Sequence, residues 1–212
     1  MEIPSVISPD FAEVLGVHLG DGCLCRYLSH GRENFQIAFT ASASEYGYYE
    51  SFIKPTIEST FSISGHLYLR NDNTTRYHIF SKPLAKYLLG LGIPLGRKKD
   101  AAIPAAVLEQ GQVIPFMRGI YHAEGSLYRR YSKRYNTHIR VYSNLLVIQI
   151  RMKLMTLMTQ IRSELIKLGI SPNRLTDNDG VYTLRITAQN EIVRFIEIVQ
   201  PKYKFDLPPL RL

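Results

Sequence analysis

Two carboxylates stand at matching places in two stretches of this chain. Residues 11–22 read Phe-Ala-Glu-Val-Leu-Gly-Val-His-Leu-Gly-Asp-Gly, and residues 114–125 read Ile-Pro-Phe-Met-Arg-Gly-Ile-Tyr-His-Ala-Glu-Gly. Each holds a glycine, a small residue four positions on, an acid, then glycine: Gly16, Gly20, Asp21, Gly22 and Gly119, Ala123, Glu124, Gly125. Small residues four apart share one side of a helix, so each segment carries a stripe almost bare of side chains. Two such stripes let helix axes approach more closely than the usual spacing of about 8–10 Å. Paired about a local twofold axis, the helices would bring Asp21 and Glu124 side by side at one end. The glycine after each acid admits a turn with positive φ. Carboxylates forced together repel, and one would hold a proton; a divalent cation removes that conflict. Mg²⁺, with Mn²⁺ as the expected substitute, takes one or two carboxylates together with water and phosphate oxygens. In such a site it can activate water, polarise a phosphodiester and stabilise the leaving oxygen.

The elements that would position the acids are written twice. Thr75-Arg76-Tyr77-His78-Ile79 matches Gly180-Val181-Tyr182-Thr183-Leu184, and Leu84, Tyr87 and Leu88 match Ile192, Phe195 and Ile196 as the apolar side of a short helix. Arg97-Lys98-Lys99 and Lys202-Tyr203-Lys204 close the two copies. Features in one order at nearly one offset mark a tandem repeat, with copies at 1–105 and 112–212 and a linker at 106–111. Each copy reads helix, two strands, helix, two strands, helix: an α+β fold of two αββαββα halves. Ser8 caps the first helix with Pro9 at its first position, and Pro115 plays the Pro9 part in the second copy. Strands are expected at 23–29, 34–41, 126–132 and 137–143. A helix is expected over 144–168, on the apolar spacing of Val147, Leu154, Leu157, Met158, Ile161, Leu165 and Leu168, stopping at Gly169. Its counterpart over 45–61 is expected to kink at Pro55. Second hairpins at 65–80 and 172–187 turn at Asn71-Asp72-Asn73 and Asn178-Asp179-Gly180.

Composition narrows the class of partner. The 212 residues carry 26 Lys+Arg against 18 Asp+Glu, a net charge of +8, which favours a polyanion such as nucleic acid or an anionic membrane surface. No run of about 18 apolar residues is present, and residues 1–10 lack the basic start and apolar run of a signal peptide. An intracellular chain without membrane attachment is expected, in a prokaryotic cytoplasm or an organelle. Cys23 and Cys25 are expected to point to opposite faces of a strand, poorly placed for a disulfide, and to remain free thiols. His18 and His122 fall inside the motif helices and are expected to pack or hydrogen-bond at the helix interface.

These motifs resemble those of the LAGLIDADG homing endonucleases. The nine-residue motif falls on Val14–Gly22 and on Met117–Gly125, and Ala123-Glu124-Gly125-Ser126-Leu127 is typical of second motifs. Leu91-Gly92-Ile93-Pro94 followed by Gly96-Arg97-Lys98-Lys99 is typical of a first copy. The resemblance covers nearly the whole chain. It implies a single-chain, pseudo-twofold monomer whose paired hairpins form a saddle over the DNA major groove. It further implies Mg²⁺-dependent double-strand cleavage of a long, pseudo-palindromic site by an intron- or intein-encoded enzyme. Asp21 and Glu124 would be the metal-binding acids, with the Gly20 and Ala123 carbonyls as further ligands. Lys98 and Lys204 would support the attacking water, with Lys99 and Lys202 as alternatives. Some relatives carry a lysine at the first-copy strand end, Phe39-Thr40-Ala41-Ser42; this sequence has none there. The alternative is an intron maturase or a cleavage-dead nucleic-acid binder of the same fold.

A duplex-reading surface can be drawn from the strands. Residues 128–142 are basic and hold no acid. Arginine and lysine neutralise phosphates or bond guanine edges, and asparagine can address adenine. In this segment Arg130, Lys133, Arg134, Asn136, His138 and Arg140 are the candidates. The first copy offers Arg26, Arg32, Asn34 and Gln36. The second hairpins add Arg70, Asn73 and Arg76, then Arg174, Thr183 and Arg185. Copy one is the less basic, so a tighter grip on one half-site is expected.

Overall fold

The computed structural model describes residues 3–134 and 139–202, the side chains of 130–144 apart. The first half begins with α1 (Pro9–Asp21), β1 (Gly22–Ser29) and β2 (Arg32–Ser42). A helical stretch of α2 (Tyr46–Tyr48) and α3 (Lys54–Phe61) follows, then β3 (His66–Leu69), β4 (Thr74–Phe80) and α4 (Lys82–Gly90). The short α5 (Ala105–Glu109) lies in the connector and takes up most of the linker expected at 106–111. The second half repeats the order with α6 (Val113–Glu124), β5 (Gly125–Arg134), β6 (Ile139–Met152), α7 (Met155–Lys167), β7 (Thr176–Asn178), β8 (Val181–Ile186) and α8 (Gln189–Val199). The sheets are antiparallel with equivalent orders, β1-β2-β4-β3 and β5-β6-β8-β7. Among the described residues, no helix is long and apolar enough to cross a membrane.

Local chemistry explains most boundaries. Ser8 Oγ accepts from the Phe11 amide at 3.2 Å, and Pro9 opens α1. Pro115 is the third residue of α6, not the first, and Gln112 precedes that helix without a side-chain cap. Gly169 follows α7 at φ 79°, as a left-handed terminator,. Asn73, Asp179 and Gly180 supply the positive-φ positions of the hairpin turns,. A π-helical stretch, Tyr49–Ile53, runs into α3 with Pro55 at its second residue. The helix expected over 144–168 is corrected: β6 runs on to Met152 and only 155–167 is helical. Leu146, Ile148, Ile150 and Met152 alternate into the core, and β6 ladders with both β5 and β8. Tertiary pairing on both edges overrides a spacing that also fits a helix.

The two halves meet through α1 and α6, and their backbones touch. A Cβ built on Gly16 would collide with the Phe116 carbonyl oxygen and lie 2.8 Å from the Ile120 amide nitrogen. One built on Gly119 would collide with the Glu13 carbonyl oxygen and lie 2.8 Å from the Val17 nitrogen. The glycines after the acids serve space as well, but not positive φ as expected. Gly22 and Gly125 have φ −88° and −90°, ordinary extended backbone. Any side chain there would run into the ring of His18 or of Tyr121, one turn earlier.

A buried polar network fastens one flank of this seam. Glu13 is fully buried. It accepts from Tyr48 Oη at 2.8 Å and Arg118 Nη1 at 3.1 Å, and pairs with Lys202 Nζ at 2.9 Å. His122 Nε2 accepts from the Lys202 amide at 3.0 Å. An accepting Nε2 carries no proton, so the ring proton sits on Nδ1, 2.9 Å from Tyr48 Oη,. Arg118 Nε donates to the Val199 carbonyl at 2.7 Å. The network ties α1, α2, α6 and the segment after α8 together. Burial alone would raise the Glu13 pKa; hydrogen bonds from His122, Lys202 and Tyr48, with the charge of Lys202, outweigh it and hold the carboxyl at about 2.

Two outcomes follow for stability. Gly119→Ala should part the helices and cost about 1–3 kcal/mol, read as a lower denaturation midpoint. Gly47→Ala, whose Cβ would meet nothing within 4 Å, should be neutral or stabilising. The depressed Glu13 pKa contributes stability above the unfolded value of 4.5, and that contribution is lost as pH falls towards 2. A shift of this size corresponds to about 3 kcal/mol. Glu13→Gln should lower stability at pH 7 and flatten the unfolding free energy between pH 5 and 2. A wild-type slope in the variant would show that Glu13 is not the group responsible.

Candidate metal and nucleic-acid site

The close seam carries both acids to one place. Asp21 is the last residue of α1 and Glu124 the last of α6. A Cβ placed on Gly20 would collide with the Ala123 Cβ and stand 3.0 Å from Glu124 Cγ and 3.6 Å from its Oε1. The Glu124 carboxylate therefore lies against the last turn of the opposite helix, beside Asp21. Gly20, Ala123, Asp21 and Glu124 are all half-buried, open to solvent on one side.

Lys98 is the third charged group here. The segment after α4 passes under α1, fixed by the Gly96 amide donating to the Leu24 carbonyl at 2.8 Å. Lys98 Nζ then donates to the carbonyls of His18, Leu19 and Gly20 at 3.1, 2.9 and 2.7 Å. An ammonium at a helix C-terminus meets the negative end of the helix dipole. Burial pushes its pKa down, while the charges of Glu124, Asp21 and Cys23 pull it up. The Gly20 carbonyl, one of the expected metal ligands, is thus already engaged by an ammonium. Lys99 is exposed. Lys202 turns away to Glu13, and its Nζ also sits 3.6 Å from the centre of the Phe52 ring. Lys204 lies outside the described residues.

A cleft of about 450 Å³ opens beside the acids, lined by Leu19, Gly20, Lys98, Glu124, Met152, Leu154 and Val181 together with Arg151 and Lys153. Sequence pattern does not single out the last two cations, because that stretch also reads as helix. Strand register explains their placement. Gly22 pairs with Phe39 and Gly125 with Ile150, so Arg151 and Lys153 stand where Thr40 and Ser42 stand in the first half. Across the next ladder Thr40 faces Arg76, while Arg151 faces Thr183. Each half has one arginine–threonine pair there, with the two residues exchanged between strands. The same register equates Tyr77 with Leu184, correcting the sequence match of Tyr77 to Tyr182 by two residues. A slip of two preserves the face.

Burial separates the two faces of each sheet. Phe35, Ile37 and Phe39 of β2 and Tyr77 and Ile79 of β4 enter the core. Asn34, Gln36 and Arg76 alternate onto the helix-free face, with Arg32 by the same parity. Arg70 and Asn73 sit at the β3–β4 turn, where Arg70 Nη2 lies 3.4 Å from Asp72. In the second half Thr183 and Arg185 share the helix-free face, and Arg185 Nε donates to Gln149 Oε1 at 3.0 Å. Two of the expected contact residues fall elsewhere. Arg26 shares its side with Leu24 and lies 3.5 Å from Glu33, which also holds Lys82 of α4. Arg174 borders a separate hollow with Thr159, Arg162, Ser163 and Ile166 of α7. Both are corrected to the helix side. Arg130, Lys133, Arg134 and Arg140 belong to the β5–β6 ladder; Asn136 and His138 lie outside the described residues.

His18 packs edge-on against Phe39 with ring centres 5.1 Å apart. Burial first, and the Lys98 charge second, lower its pKa to about 3, so it is neutral near pH 7. Cys23 and Cys25 share one face of β1, contrary to expectation, with Sγ atoms 3.1 Å apart. Residues two apart on a strand point the same way.

No protein-family model matches the sequence, and no match arises among curated proteins. Solved structures do match. Mesophilic variants of the homing endonuclease I-DmoI align with a TM-score of 0.64 at 19% identity, covering 91% of this chain and 96% of that one. I-DmoI in complex with DNA and Mn aligns at 0.63 and 20% identity, over 93% of this chain and 99% of that one. The LAGLIDADG meganuclease I-AabMI bound to uncleaved DNA aligns at 0.59 and 14% identity, over 95% and 85%. The two tandem αββαββα halves described above, joined through α1 and α6, are the single-chain fold of the LAGLIDADG homing endonucleases.

Proposed function

We propose that this chain is a site-specific DNA endonuclease, acting as a monomer with an internal pseudo-dimer on a long, pseudo-palindromic duplex. It makes double-strand cuts by metal-dependent phosphodiester hydrolysis. The observation that carries this reading is the Glu124 carboxylate lying against Gly20 where α1 and α6 end together, next to Asp21 and under the charge of Lys98. The relatives solved with DNA and Mn, or with Ca²⁺, support it as analogues of the same fold.

The donor set fits a hard divalent cation. Asp21 and Glu124 give two carboxylates, and the Ala123 carbonyl is a third oxygen. Among the described residues no cluster of three or more His, Cys, Asp or Glu is present. Mg²⁺ asks for no more, because phosphate and water complete its shell. When bound, the metal would lower the pKa of a water and neutralise charge on the phosphate in attack. The chain's own residues do the rest. Asp21 and Glu124 would hold the cation at the end of the seam between α1 and α6. Arg151 and Lys153 attract and orient the phosphate over the cleft, since guanidinium and ammonium groups are its natural partners. Lys98 holds the end of α1 in place and keeps positive charge near both carboxylates. The helix-free sheet faces, carrying Gln36, Arg76 and Arg185, read the grooves on either side, while Thr183 is buried beneath them.

Two outcomes test this. Asp21→Asn and Glu124→Gln should retain duplex binding and lose cutting by about 100-fold or more, read by end-mapping of a DNA library incubated with Mg²⁺. Cutting by either variant at the wild-type rate would refute the assignment of the acids. Arg151→Ala with Lys153→Ala should weaken binding to all sequences and reduce the log–log salt slope by roughly 0.9 for each phosphate no longer neutralised. An unchanged slope would remove these two residues from the phosphate path.

A further inference from the structure

We propose that Cys23 and Cys25 form a bidentate site for a thiophilic trivalent metalloid, the arsenic(III) of an organoarsenical, on the helix-free face of the first sheet. The thiols leave β1 on one side with their Sγ atoms 3.1 Å apart. Leu24 between them is fully buried on the other side, so the pair stands half-buried at the surface. Across the ladder they face Gln36 and Ala38, both held in register by β2.

The geometry selects the ligand. A disulfide needs sulfurs about 2.04 Å apart and Cβ atoms within about 3.5–4.5 Å. Side chains two apart on one face of a strand are spaced about 6.6 Å along it, so closing the bond would bend a strand locked to its neighbour. A bridging atom asks for no such distortion. With metal–sulfur bonds of about 2.3 Å, sulfurs 3.1 Å apart subtend roughly 85°. Close to a right angle, this suits a pyramidal three-bonded centre and not a tetrahedral one. Zinc would also need two more ligands, and no cluster of three or more His, Cys, Asp or Glu exists among the described residues. An arsenoxide needs only the two thiols. Two S–As bonds form, the oxygen leaves as water with both thiol protons, and arsenic stays trivalent, so neither oxidant nor reductant is required.

The placement has a consequence that rests on the proposed function. Cys23 lies two residues beyond Asp21, on the strand leaving α1, and the face it shares with Gln36 is the one assigned to the duplex. An aryl group seated there would stand in the path of DNA.

The test uses the full chain and phenylarsine oxide. Intact mass spectrometry should show one phenylarsenic group per chain in place of two hydrogens, removed by 2,3-dimercaptopropanol and resistant to excess 2-mercaptoethanol. The sequence holds two cysteines in all, so Cys23→Ser and Cys25→Ser should each abolish the resistant adduct. Alanine at each position repeats the test should either serine variant fail to fold. No adduct on the folded wild type, or a resistant adduct surviving in either folded single variant, overturns the site. Fluorescence polarisation with a labelled random-sequence duplex at low salt should show binding weakened about tenfold on loading. Unchanged binding by the loaded chain overturns the blocking of the duplex face, while the mass result judges the thiol site independently.

Discussion

The contact that everything else depends on is backbone against backbone between α1 and α6. Gly16 lies on the Phe116 carbonyl and Gly119 on the Glu13 carbonyl. Helices separated by ordinary side chains would stand at about 8–10 Å, and their last residues would diverge by a side chain's width. Bare stripes remove that width. The acids at the ends then meet because the helices do, and no separate device is needed to bring them together. Where each chain leaves its helix, Gly22 and Gly125 have room for nothing larger than hydrogen, since the ring of His18 or Tyr121 of the same helix fills the exit.

Such closeness has an electrostatic cost, and the flank and the end of the seam meet it differently. On the flank, Glu13 is buried with Tyr48, Arg118 and Lys202 around it. Each of its oxygens is matched, and removal of a partner would strand a charge in the interior. At the end, the acids Asp21 and Glu124 remain half-open to solvent, and their charge is offset by Lys98, whose three donors go to the last carbonyls of α1. A buried, saturated carboxylate is a fastener. A half-open carboxylate such as Glu124, lining a cleft together with Arg151 and Lys153, keeps the capacity to take a ligand.

Much of this is legible in the sequence, for physical reasons. The glycine stripes, the acids and the cap of α1 are local patterns with one structural meaning, and they fall where expected. Lys98 is named by the family resemblance, and its ammonium stands within reach of the charges of both acids. What local pattern cannot supply is the outcome of competition. Leu145 to Ile150 fits a helix or a strand, and pairing to both β5 and β8 decides it. Read as helix, that stretch gives Arg151 and Lys153 no place beside the acids. Arg26 and Arg174 are basic and in the right segments, yet strand parity sets Arg26 on the side of Leu24 and α4, and Arg174 borders α7. The cysteine pair follows the strand's period of two, which sets both thiols on one face and defeats the expectation of opposite ones.

The exchange of arginine and threonine between the halves bears on how duplicated sites diverge. Arg76 of β4 faces Thr40 of β2, and Arg151 of β6 faces Thr183 of β8. A cross-strand pair on one face is a single unit of surface, so either strand can carry the charge without altering the sum. What changes is the distance from the acids. Arg151 is on the strand that pairs directly with the one leaving Glu124, and it lines the cleft. Arg76 is one strand further out, beside Cys25. At this ladder position the two halves thus present equal charge at unequal depth. Duplication supplies the paired acids, and a swap confined to one ladder position is enough to make their surroundings differ.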